Sequence, residues 1–130
     1  MELKSFDVLG SALELIEKKT TGTNKVGISH ANSLIDAGKV SHPSSWNHPS
    51  ASEENSYLDN HSIEEYAKWF LGIDSSVDPK NKGHYTYVYT SDFKTVDRQG
   101  LIAIRQRAGQ NHETAIFEAA GKMLEKIDGK

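Results

Sequence analysis

The sequence predicts an α+β domain that is mainly helical, with a small antiparallel β-hairpin or sheet packed on a C-terminal antiparallel helix pair. Three observations carry this expectation. Ser62-Ile63-Glu64-Glu65 has the form of a capping box, in which the Ser62 hydroxyl accepts from the Glu65 amide and the Glu65 carboxylate from the Ser62 amide. Tyr85-Thr86-Tyr87-Val88-Tyr89 alternates as a half-buried strand does. Two segments rich in Leu, Ile and Ala then run at helical spacing to the C-terminus.

Taken in order, Phe6, Leu9, Leu13 and Ile16 recur at helical spacing, with Ser5 as N-cap and Lys18-Lys19 in the last turn, which predicts a helix over 5–19. The polar run Thr20-Thr21-Gly22-Thr23-Asn24 breaks it, and residues 1–24 read as a loosely attached N-terminal arm. A shorter helix is expected over 29–37, with Leu34 and Ile35 inward and Gly38 as its stop. From Val40 to His61 the composition turns to Ser, Asn, His and Pro without Lys or Arg, which predicts a long irregular loop over 40–61. Trp46 argues that this loop is anchored on the core, and a short helical turn over 53–58 would fit within it. Ile63, Tyr66, Ala67, Phe70 and Leu71 mark one face of the helix that starts at Ser62 and ends at Gly72.

A polar turn region over 74–83 leads to the strand 85–89, which needs a partner for its backbone groups. The candidates are 93–96, which would close a hairpin, and 26–28. Asp97 reads as the N-cap of a helix over 98–108, with Val96 and Leu101 placed as a hydrophobic staple. Gly109 stops that helix and Asn111 caps the next, whose stripe is Ile116, Ala119, Ala120, Met123, Leu124 and Ile127. A three-residue join requires these two helices to pack antiparallel.

A chain of 130 residues is expected to form a single domain that buries roughly two-thirds of its unfolded surface. With no cysteine, disulfides, thiolate metal sites and cysteine nucleophiles are excluded. A net charge of -3 provides no overall field that would draw the chain to nucleic acid or anionic lipid. No apolar run approaches the ~20 residues of a membrane span, and Met1-Glu2-Leu3-Lys4 lacks the start of a secretory signal. The expected location is therefore cytoplasmic, or virion-associated if the gene belongs to a phage.

Chemistry-bearing residues form few groupings. His42, His48 and His61, with Asp59 nearby, have ligand types suited to zinc, but their spacing matches no compact motif, so they read as polar loop residues. Asp74, Ser76 and Asp78 start like a calcium loop, but Pro79 stands where its glycine belongs and no glutamate follows at the twelfth position. No G-x-S-x-G elbow and no phosphate-cradling glycine motif is present. No catalytic residue, metal or cofactor is expected. Arg98, Arg105 and Arg107 give helix 98–108 a basic side that could meet nucleic acid, with the strand tyrosines as stacking partners. A solvated face paired with Glu113 and Glu118 is the simpler reading. Tyr85, Tyr87 and Tyr89 on one strand face would cover either the core or a protein partner, and Trp46 is a second candidate contact.

The stretch 66–72, the strand led by Lys82-Gly83-His84-Tyr85, the run 100–108 and the ending through Ile127-Asp128 together resemble a small uncharacterised family encoded in bacterial and prophage gene neighbourhoods of tailed phages. The similarity covers residues 29–128. The resemblance implies a virion or assembly context and brings no activity. The functional expectation is thus a non-enzymatic protein-interaction or structural accessory domain acting through Trp46, Tyr85, Tyr87 and Tyr89. The alternatives are a weak nucleic-acid-binding module using Arg98, Arg105 and Arg107, and a small hydrolase or metal-dependent enzyme on the histidine-rich segment.

Overall fold

The computed structural model describes residues 19–129. Among them the elements run β1 (Gly22–Thr23), α1 (Lys25–Asp36), β2 (Val40–Ser41), α2 (Ala51–Asn60), α3 (Ile63–Ala67), β3 (Phe70–Ile73), a 3-10 turn (Lys82–His84), β4 (Tyr85–Val88), β5 (Val96–Asp97), α4 (Arg98–Gln110) and α5 (Thr114–Asp128). The fold is α+β, with the C-terminal helices packed on each other and against a small antiparallel sheet. The helix expected over 5–19 lies outside the described residues but for Lys19.

The sheet is β1-β3-β4, with Gly22 opposite Ile73, Phe70 opposite Val88 and Ile73 opposite Tyr85. Its central strand corrects the sequence reading of a helix from Ser62 to Gly72. The Ser62–Glu65 capping box is present, but α3 ends at Ala67 and the chain turns through Lys68 and Trp69 into β3. The physical reason is two-sided burial: Trp69, Phe70, Leu71 and Gly72 are all buried, and a helix would bury one stripe only. Gly72 serves close approach rather than helix termination, since a Cβ there would stand 2.5 Å from Thr86 Oγ1. Neither expected partner of the 85–89 strand forms. Residues 26–28 lie in α1, and Val96 pairs instead with Val40, in a parallel bridge that also joins Ser41 to Asp97.

α1 begins earlier than expected because Asn24, buried at its N-cap, donates its side-chain amide to Ala67 O at 2.7 Å and Phe70 O at 2.9 Å. Residues 20–24 are therefore stitched to the sheet, with Thr21 N bonded to Ile73 O and Asn24 N to Leu71 O. Gly27, Ala31 and Ile35 form its buried stripe. It ends in a Schellman motif, with Gly38 at φ +75° and amides of Gly38 and Lys39 on the carbonyls of Ile35 and Leu34.

The segment 40–61 is less irregular than its composition suggests. Ser50 and Glu53 make a second capping box, with Glu53 N to Ser50 Oγ at 3.1 Å and Ser50 N to Glu53 Oε1 at 2.8 Å, and a ten-residue helix follows. Tyr57 of α2 stacks on His61 at 3.8 Å and on Phe93 at 4.5 Å, fastening the helix to the 91–95 loop.

Asp97 caps α4 as expected, accepting from Gly100 N at 3.0 Å. α4 runs past Gly109 to Gln110, and Asn111 is its C-cap rather than the N-cap of α5. The pair is antiparallel: Arg98 at the start of α4 makes a bidentate contact with Asp128 at the end of α5, both bonds at 2.9 Å. Ile116, Ala120 and Met123 fill the interface, while Leu124 and Ile127 are half-buried. No helix among the described residues is long and apolar enough to cross a membrane.

Candidate functional site

A cleft of about 740 Å³ opens between the segment before α2, the strand β4 and one side of α4. Its wall on α4 follows from helical periodicity. Positions 100, 103, 104 and 107 form one stripe, of which Ala103, Ile104 and Arg107 line the cleft. At Gly100 the stripe carries the Trp46 indole, and a Cβ there would stand 2.6 Å from Trp46 Cζ3. Trp46 is half-buried and also lines the cleft, so the expectation that it anchors its segment matches its position.

Tyr87 forms part of the β4 wall with φ 63°, a left-handed conformation that costs a non-glycine residue energy and persists only where its surroundings hold it. What holds it is the turn between α4 and α5: the Tyr87 hydroxyl donates to Glu113 Oε1 and accepts from Asn111 Nδ2 at 3.4 Å. Burial, with the bond to Glu113, pushes the Tyr87 phenol up to about 12. Its neighbours in the row turn the other way. Tyr85 and Tyr89 are buried, with hydroxyls on Pro79 O and Lys68 O, both at 2.6 Å. Of the four aromatic residues named as partner contacts, Trp46 and Tyr87 line the cleft, and Tyr85 and Tyr89 do not.

The far wall carries Glu54, in the first turn of α2 and 8% exposed. Lys82 Nζ neutralises it at 3.3 Å. Behind Glu54 lies the buried Tyr66 hydroxyl, and burial together with the charge of Glu54 and a hydrogen bond to its carboxylate drives the phenol far above the ordinary tyrosine range. Sequence reading missed Glu54. The signal was Ser50-Ala51-Ser52-Glu53, the same S-x-x-E pattern that was recognised at Ser62.

The three arginines are dispersed. Arg98 is held by Asp128, and Arg105 lies over the Phe117 ring at 4.4 Å, so both serve the α4–α5 contact. Arg107 is exposed, lines the cleft and makes no ion pair among the described residues. The expected pairing of the arginines with Glu113 and Glu118 does not form among the described residues: Arg98 takes Asp128, Arg105 lies over Phe117, and Glu113 accepts from Tyr87.

The histidines do not converge. His48 Nδ1 bonds to Pro49 O at 2.7 Å, His61 Nδ1 to Tyr57 O at 2.9 Å, and His42 lies near Asp128 at the end of α5. Among the described residues no group of three or more His, Asp or Glu is placed to hold a metal ion. Asp74 and Asp78 close separate local turns, accepting from Ser76 N at 3.0 Å and Lys80 N at 2.9 Å. The histidine ring nitrogens at His48, His61 and His84 are bonded to backbone carbonyls rather than to a serine hydroxyl. Comparison of the chain with protein-family models, with curated proteins and with solved structures finds no match.

Proposed function

We propose that the protein is a non-enzymatic interaction domain whose contact surface is the cleft walled by Trp46, Tyr87 and α4, in keeping with the phage-assembly context that its sequence resemblance implies. The observation that carries this reading is convergence: an indole, a strained tyrosine and an exposed arginine without an ion-pair partner among the described residues, drawn from three separate parts of the chain, meet on one open cleft. Aromatic residues and arginine are the types that dominate binding energy at protein interfaces. Backbone strain held at such a wall is typical of binding sites. Arg98 and Arg105 are engaged within the helix pair, which leaves the nucleic-acid alternative a single arginine to act with.

The test is site-directed photo-cross-linking in the native host, with a benzophenone side chain introduced at Ala103 inside the cleft or at exposed Lys122 on α5. A discrete protein adduct from position 103 and none from 122 is the expected result. Adducts from 122 alone, or none from either, would overturn the reading.

A further inference from the structure

We propose that the cleft takes a short extended peptide segment of a partner protein, one that lays an apolar side chain against Trp46 and delivers a carboxylate to Arg107. The inference rests on the cleft being the contact surface, and specifies what that surface recognises. Its first support is charge. Beside His48 and Tyr87, a carboxylate and a guanidinium line the cleft, but Glu54 is buried and matched by Lys82 at 3.3 Å, whereas Arg107 is exposed and unmatched among the described residues. The surplus charge offered to an occupant is therefore positive, and a guanidinium prefers the planar, two-oxygen acceptor that a carboxylate supplies.

The second support is spacing. Trp46 sits over Gly100, and Arg107 lies seven residues further along α4. At the rise of an α-helix this separates the two anchors by about 10 Å along the axis. Three residues of extended chain cover about the same distance. Between the anchors, Ala103 and Ile104 of α4 and Phe70 and Val88 of the sheet give an apolar floor. An apolar side chain and a carboxylate one tripeptide apart thus match the two ends, with the C-terminal carboxylate of a chain as the simplest source. An exposed ion pair alone adds little affinity, so the apolar contact and the carboxylate must act together.

The full-length isotope-labelled protein is titrated with acetyl-Phe-Ala-Ala bearing a free C-terminal carboxylate, and separately with its C-terminal amide, in the parent and in Arg107→Gln. Arg107 is exposed, so this variant keeps the fold. Saturable NMR shifts confined to the Trp46 indole, Ala103 and the Arg107 side chain are expected, weakened by about two- to fivefold in the amide and equally in Arg107→Gln. Equal affinity of acid and amide, or an unchanged affinity in Arg107→Gln, would overturn carboxylate recognition while leaving the cleft as a contact surface. Absence of any shift at the cleft would overturn the peptide site outright. Cross-linking from position 103 reports on the contact surface independently of the probe, so the two failures are distinguishable.

Discussion

Gly27→Ala tests the seam on which the sheet and α1 depend. In an open helix the substitution is stabilising, by about 1 kcal/mol. Here a Cβ would stand 1.7 Å from the Phe70 carbonyl oxygen and 2.8 Å from its carbon, both backbone atoms of the central strand. Relief requires α1 to lift from β3. That motion strains or breaks the bonds from Asn24 Nδ2 to Ala67 O and Phe70 O, in a place where Asn24 is only 8% exposed. Overpacking costs about 1–3 kcal/mol, and a buried polar group left unpaired costs about 1–3 kcal/mol more. Against the propensity gain, the net loss is about 3 kcal/mol. With a urea slope of about 1.5 kcal/mol/M, the midpoint should fall by about 2 M. Gly22→Ala is the control, because its nearest neighbour outside the local chain, Ile73 Cγ1, lies at an ordinary 3.9 Å. A Gly27→Ala midpoint at or above that of the parent, with an unchanged slope, would refute the account of this seam.

In the helix pair, Met123→Ala, at 1% exposure, should cost about 2–5 kcal/mol in urea unfolding, and half-buried Leu124→Ala distinctly less; the reverse order would mean that α5 is turned about its axis. Burial acts to raise the Asp92 carboxyl, but amide bonds from Thr95 and Lys94 and hydroxyl bonds from Thr95 and Thr90 outweigh it and hold the group below its ordinary value. A lowered folded value contributes stability that is present above about pH 4 and lost as pH falls below it, so Asp92→Asn should flatten the acid limb of the stability profile, and an unaltered limb would refute the assignment. Ser50→Ala should cost about 1 kcal/mol through loss of the α2 capping box, read as a lower thermal midpoint.

The parts of the fold legible in the sequence are those whose signals are local. The Ser62 and Asp97 caps, the Gly38 stop and the stripe of α5 were each readable because cap chemistry and helical period act within a few residues. β3 was not, because Phe70-Leu71-Gly72 continues the helical spacing of Tyr66 and Ala67, and a short apolar run buried on both sides has no period of its own. Gly72 misled for the same reason, since its role is set by Thr86 on another strand. At the site, Trp46 and Tyr87 were named from composition, but the distinction of Tyr87 from Tyr85 and Tyr89 rests on one positive φ that alternation cannot show. Arg107 separated from Arg98 and Arg105 only once α5 had claimed the other two.

The pairing of strands far apart in the chain bears on the order in which the protein assembles. Gly22 meets Ile73 and Val40 meets Val96, each across about half the described chain, whereas α4 and α5 meet across a three-residue join. Closing a long loop spends chain entropy before any contact returns it, so the helix hairpin, clasped at its open end by Arg98 and Asp128, is expected to form early, with the two seams following. The seam between α1 and the sheet is then a late event. Damage at Gly27 is then expected to accelerate unfolding more than it slows folding, so that α1 and its glycine govern the lifetime of the native state more than its rate of formation.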